Sequence, residues 1–265
     1  MIAGKTWREI RGMGFAYALI LELMLIPAVL LWPNLRRGGS AIVSMMPAEF
    51  LKKMASEVMG PNDATAYRAY MAVQMFFKGV NIMAIAAAVL LGTGLIARER
   101  ENQTLEFLLA RPVSRSRILW SKFWVTALIV VIPIFLTSWT ALPLSRVPSV
   151  DQSLPFWPVT LCCVHASAFA LAMLALTTLV SVLARAQVVT AFWIGAFVVM
   201  QVAIYFVQEI RVVSLFRLSD FEIYGPIMAE NVAPAGFLLG TTSWLLVAAA
   251  AAYLAADRAF RRIGL

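Results

Sequence analysis

Six apolar runs of about 20 residues, at roughly 14–32, 70–96, 123–144, 159–184, 188–208 and 237–256, constrain this chain more than any motif in it. A helix of that length crosses the roughly 30 Å hydrocarbon layer of a bilayer. With 62% hydrophobic and 14% charged residues, the chain has more apolar surface than one soluble core of this length buries. Each run must be helical, because unpaired backbone groups cannot face lipid and the alternation of barrel strands is missing. The expected fold class is therefore an all-α integral membrane protein with six transmembrane helices in a single domain, residues 1–265.

The formal charge of +8 does not point to nucleic acid, since the basic residues flank the spans and build no single basic face. They report topology instead. With the N-terminus inside, the cytoplasmic side receives Lys5, Arg8, Arg11, Arg98, Arg100, Arg111, Arg115, Arg117, Lys122, Arg185, Arg258, Arg261 and Arg262. The outer side receives Arg36, Arg37, Lys52, Lys53, Arg68, Arg146, Arg211 and Arg217, a balance of 13 to 8. The excess is sharpest in short loops, where the positive-inside rule is strongest. Both termini are expected in the cytoplasm, and the chain is expected in the cell (inner or plasma) membrane as a multi-pass protein among its lipids. The first run is read as a span and not a secretory signal, because it is long, contains Glu22 and ends at Leu31-Trp32-Pro33-Asn34 without a small-residue cleavage pattern. Cys162 and Cys163 are adjacent, form no Cys-x-x-Cys pair and leave the redox compartment open.

Residues 2–13 place Ile2, Trp7, Ile10 and Met13 among Lys5, Arg8, Glu9 and Arg11, which predicts a short interfacial helix before the first span; a frayed polar terminus is the alternative. An external helix is predicted from Pro47 to Gly60-Pro61, with Phe50, Leu51, Met54 and Val58 on one face. Ala84, Ala88 and Gly92 form a seam of small side chains at four-residue spacing, so a second helix should approach closely there. Its partner could lie in this chain or in a second copy. Pro27 and Pro133 fall inside spans and favour kinks. Residues 209–236 are too charged to cross and read either as a half-inserted external hairpin or as a solvated loop.

One stretch cannot be explained as lipid-facing filler: Ile96 to Lys122, IARERENQTLEFLLARPVSRSRILWSK. Leu105, Leu108 and Leu109 recur at helical spacing and predict an amphipathic helix of about two turns. Pro112 ends it, and Ser114 can cap a new helix that carries Arg115, Arg117 and Lys122 into the third span. An apolar ridge held between two rigid spans can transmit force, because displacing it must move both.

Glu99-Arg100-Glu101, Thr104-Leu105-Glu106, Leu108-Leu109-Ala110, Pro112-Val113-Ser114-Arg115 and Lys122 together resemble the signature of type-2 ABC permeases, the membrane subunits of export-type ATP-binding-cassette transporters. The resemblance extends over the whole length in the order of its features. It implies that residues 97–122 form a cytoplasmic coupling loop that docks on a separate ABC ATPase subunit. It also implies a second permease copy, identical or related, and export driven by ATP. The expected ATPase-coupling residues are Glu99, Glu101, Thr104, Leu105, Leu108, Leu109, Arg111, Pro112 and Arg115. The three leucines would fill a groove on the ATPase, while Glu99, Glu101 and Arg111 set its orientation. One position departs from the family, which usually has Gly before the Thr where this chain has Gln103. The turn entering the coupling helix is therefore expected to differ.

The chain has no Gly-x-x-x-x-Gly-Lys-Ser/Thr loop to cradle phosphates. It is accordingly expected to be no enzyme by itself and to hold no cofactor, with ATP and Mg bound in the partner. Intramembrane proteolysis lacks its residues, since there is neither a Gly-x-Ser-Gly element nor a His-Glu-x-x-His motif and His165 is the single histidine. Glu22, near the middle of the first span, is the candidate for the translocation path, because a carboxylate there faces protein or water. Lys78 lies near the outer edge, where its stem can snorkel, so the two are given separate roles, with Glu22 protonated or paired to a span hydroxyl. Cys162 with His165, and the external Met45, Met46, Met54 and Met59, are soft-ligand types. Packing is the preferred reading, and no metal site is expected. The rival function is a gradient-driven carrier or channel without an ATPase.

Overall fold

In the computed structural model, which describes residues 2–38, 49–110, 112–230, 236 and 240–263, all regular secondary structure is helical. Six helices are long and apolar enough to span a membrane. The first, third, fourth, fifth and sixth are single helices, Ile2–Leu30, Arg115–Leu144, Phe156–Leu183, Gln187–Phe206 and Thr241–Arg261. The second is composite: an α-helix Asp63–Met71 runs into a π-helical stretch Ala72–Val80 and then into Asn81–Thr93. Each coincides with one of the six apolar runs.

The second and fourth spans form the centre, each 67% buried in its apolar window, against 22% for the fifth. Small side chains explain the centre's density. Ala84 and Ala88 are buried, and a β-carbon added to Gly92 would stand 2.8 Å from Thr177 Cγ2 on the fourth span. The seam's partner is thus a helix of this same chain. Without a hydrophobic drive between helices in lipid, such close backbone approach supplies the dispersion contacts that hold a bundle together.

Residues 2–13 differ from expectation in one respect. They are helical, but no break separates them from the first span, and Ile2–Leu30 is one helix of 29 residues. Apolar Ile10 and Tyr17 are both buried on the same helix, so packing against the neighbouring spans carries the helix past the polar segment. Pro27, Pro133 and Pro143 lie within continuous helices.

Between the first and second spans, the helix Glu49–Val58 turns Met54 and Val58 into the core. Its predicted start at Pro47, the side chains of Phe50 and Leu51, and Met45 and Met46 lie outside the described residues. Within 209–236, the described part folds as 3-10 turns Arg211–Val213 and Leu215–Ser219 and a helix Phe221–Met228; residues 231–235 lie outside it. This segment is fastened by polar contacts. Tyr224 donates to Asn81 Oδ1 at 2.8 Å, and the Ser219 hydroxyl donates to the same oxygen at 3.0 Å. Arg211 Nη2 lies 2.6 Å from Asp220 Oδ2, with its guanidinium over the Tyr205 ring. Burial pushes the Asp220 carboxyl up to about 6, against the downward pull of Arg211. His165 meets Thr242 Oγ1 and the Leu218 carbonyl, each at 2.8 Å; both ring nitrogens are thereby occupied.

Candidate functional site: the loop between the second and third spans

Between the second and third spans the chain makes two one-turn helices, Ala97–Glu101 and Leu105–Leu109. Their joint is Gln103, whose φ of +57° lies in the left-handed region. This is the conformation glycine adopts at no steric cost. The turn forms here nonetheless because Thr104 closes it twice: its N–H donates to the Glu99 carbonyl at 2.9 Å, and its hydroxyl donates to the Glu99 carboxylate. Left-handed geometry costs an L-residue about 1–2 kcal/mol, and glycine gives back part of the gain through its entropy. Gln103→Gly is therefore expected to stabilise the protein by about 0.5–1 kcal/mol, read as a higher melting temperature in detergent. An unchanged or lower value would show that the turn carries no such strain.

Glu99 points inward. Its side chain is 9% exposed and receives Lys122 Nζ at 2.7 Å, while Lys5 from the first helix stands at 3.4 Å. Lys122, 5% exposed, also donates to the Leu95 carbonyl at 3.0 Å. A carboxylate in this position is a tie between the first, second and third spans. Glu101 accepts from the backbone N–H of Gln187 at 3.0 Å, at the first turn of the fifth span. Anions stabilise helix N-termini, so this contact joins the loop to the fifth span. Both acids expected to orient an ATPase are turned to the chain's own helices.

The other predicted residues divide in the same way. Leu105 and Leu108 are buried with Ile96, Ile118, Leu119, Val182 and Phe260. Leu109 is half-buried at the edge of that cluster, and Pro112 is exposed. Ser114 caps the third span through the Arg117 N–H, as predicted. Arg115 donates to the carbonyls of Arg261 and Ile263, orphan acceptors at the end of the sixth span. Arg111 lies outside the described residues. Glu22 stands apart, on the first span, with both carboxylate oxygens 3.1 Å from the Thr140 hydroxyl of the third; Lys78 is exposed elsewhere.

Three features were not read from the sequence. Arg100 donates to the carbonyls of Ala184 and Val182 at the end of the fourth span. The Ser181 hydroxyl accepts from the N–H groups of Ile96 and Ala97 and donates to the Thr93 carbonyl. The loop is thereby bonded or packed to all six spans. The third is Phe107, 77% exposed, the apolar tip of the helix whose leucines point inward. On a helix rooted by residues 105 and 108, position 107 must point away, and an aromatic on that face was the available signal.

A family model described as ABC-2 family transporter protein matches residues 19–258. The chain belongs to the ABC-2 transporter family. No curated protein matches it. The matched region takes in the six spans and the whole loop, so this permease is a multi-pass membrane component of an ABC transporter and not itself the catalytic subunit. In this permease the loop between the second and third spans carries contacts to every other span.

Proposed function

We propose that this permease forms the substrate path of an ATP-driven exporter, with both termini in the cytoplasm and the Leu105–Leu109 helix docked on a separate ABC ATPase. Two permeases and two ATPase subunits make the working assembly, and the ATPases hold ATP and Mg. Phe107 enters a groove on the ATPase, flanked by Glu106. Leu105 and Leu108 root the helix so that force on Phe107 is passed inward and not absorbed by a soft loop. ATP-driven closure of the ATPases then displaces the loop, and through Lys122, Ser181, Gln187 and Arg115 it displaces the spans. The observation that carries this reading is an exposed aromatic on a helix whose opposite face is bonded into the bundle. A gradient-driven carrier has no need of such a feature.

Side-selective thiol labelling tests the orientation on which the reading depends. Cys162 and Cys163 are both buried, so Phe107→Cys supplies a lone accessible thiol among the described residues. An impermeant maleimide is expected to label it in inside-out vesicles and not in intact cells. Labelling from outside would overturn the proposal.

A further inference from the structure

We propose that the cavity between the first span and the coupling loop is a binding site for the phosphate headgroup of an anionic phospholipid of the inner leaflet, held by Arg98 and Lys5. The leaflet assignment rests on the orientation proposed above. The cavity measures about 490 Å³, within the range of small-ligand sites. Its two halves differ in chemistry. Toward the loop it is lined by Lys5, Arg98 and Lys122 against Glu9 and Glu99; toward the bilayer it is walled by Met13 and Leu90.

The charges do not balance. Three cations face two carboxylates, leaving one positive charge in the site. The surplus can be located. Lys122 is committed to Glu99, and Lys5 lies 3.5 Å from Glu9 and 3.4 Å from Glu99. Arg98 is exposed on the cavity wall, and its guanidinium makes no ion pair or hydrogen bond among the described residues. A guanidinium with open donors matches a phosphate's oxygens, and a single anionic headgroup would neutralise the site.

The apolar half indicates a lipid. Met13 is 44% exposed and Leu90 67% exposed, both on membrane-spanning helices. Exposed apolar side chains of two spans thus border the cavity, so a headgroup at Arg98 places its tails along Leu90. Basic pockets between transmembrane helices on the cytoplasmic side suit anionic headgroups. The consequence is mechanical. The long Lys5–Glu99 contact joins the first helix to the loop, and a phosphate shared by Lys5 and Arg98 would add a further tie at the same joint.

Native mass spectrometry of the full chain in mild detergent, titrated with phosphatidylglycerol or phosphatidylcholine, tests this. Retention of one phosphatidylglycerol per chain is expected, weakened about fivefold in Arg98→Gln and restored in Arg98→Lys, with phosphatidylcholine lost on activation. Leu90→Glu should weaken retention too, because a carboxylate would meet the acyl chains. Equal retention of the two lipids, or wild-type retention by Arg98→Gln, would overturn the site. Displacement by millimolar inorganic phosphate would make it a free-anion site and overturn the lipid assignment. Since thiol labelling at residue 107 reports orientation separately, failure there leaves these outcomes interpretable as lipid binding on the other leaflet.

Discussion

Lys122→Ala is expected to destabilise the permease by about 3–5 kcal/mol, the largest effect of any single truncation in the loop. The ammonium is removed from a site where Glu99 is 9% exposed, and the carboxylate left behind has, among the described residues, only Thr104 and the more distant Lys5 to satisfy it. Uncompensated burial, more than the lost attraction, sets the cost. Glu99→Gln combined with Lys122→Met removes both charges at similar volume and is expected to recover most of the stability. Thermal denaturation followed by size exclusion in detergent measures both. If Lys122→Ala melts with the wild type, Glu99 is hydrated and the tie between the first three spans is not buried.

Phe107→Asp is expected to weaken co-purification of the partner ATPase by a factor of about 30 or more, the equivalent of at least 2 kcal/mol for an aromatic anchor at an interface centre, while leaving the melting temperature unchanged. The separation of the two readouts matters. Leu108→Asp would also lose the ATPase, but by placing a charge in the buried cluster that holds Ile96 and Phe260 and so melting that end of the bundle. Phe107 is 77% exposed, and its replacement touches the proposed docking contact alone. Undiminished ATPase binding by Phe107→Asp would reject the assignment of this tip.

Much of the fold could be read in advance because lipid enforces a local rule: a span must be helical and apolar along about 20 residues, whatever its neighbours. The six runs obey it, and the chain's helices coincide with them. The loop was legible in composition but not in direction. Periodicity put Leu105, Leu108 and Leu109 on one face without saying whether that face meets a partner or the chain's own spans. Charges such as Glu99 and Glu101 look solvent-facing in sequence. Their partners, Lys122 and the Gln187 N–H, lie 23 and 86 residues away, beyond any local pattern. Gln103 is the intermediate case, since the sequence marked the position as a departure from the family and the positive φ shows where the cost falls.

By itself the sequence determined the solvent and the number of spans, because those follow from hydropathy counted along the chain. Only the tertiary structure decided which face of the coupling helix is free, which acid is buried, and that the Ala84, Ala88 and Gly92 seam closes on the fourth span. Those outcomes depend on which groups meet across the bundle. Close packing selects a single set of such meetings from many that the same periodicity allows.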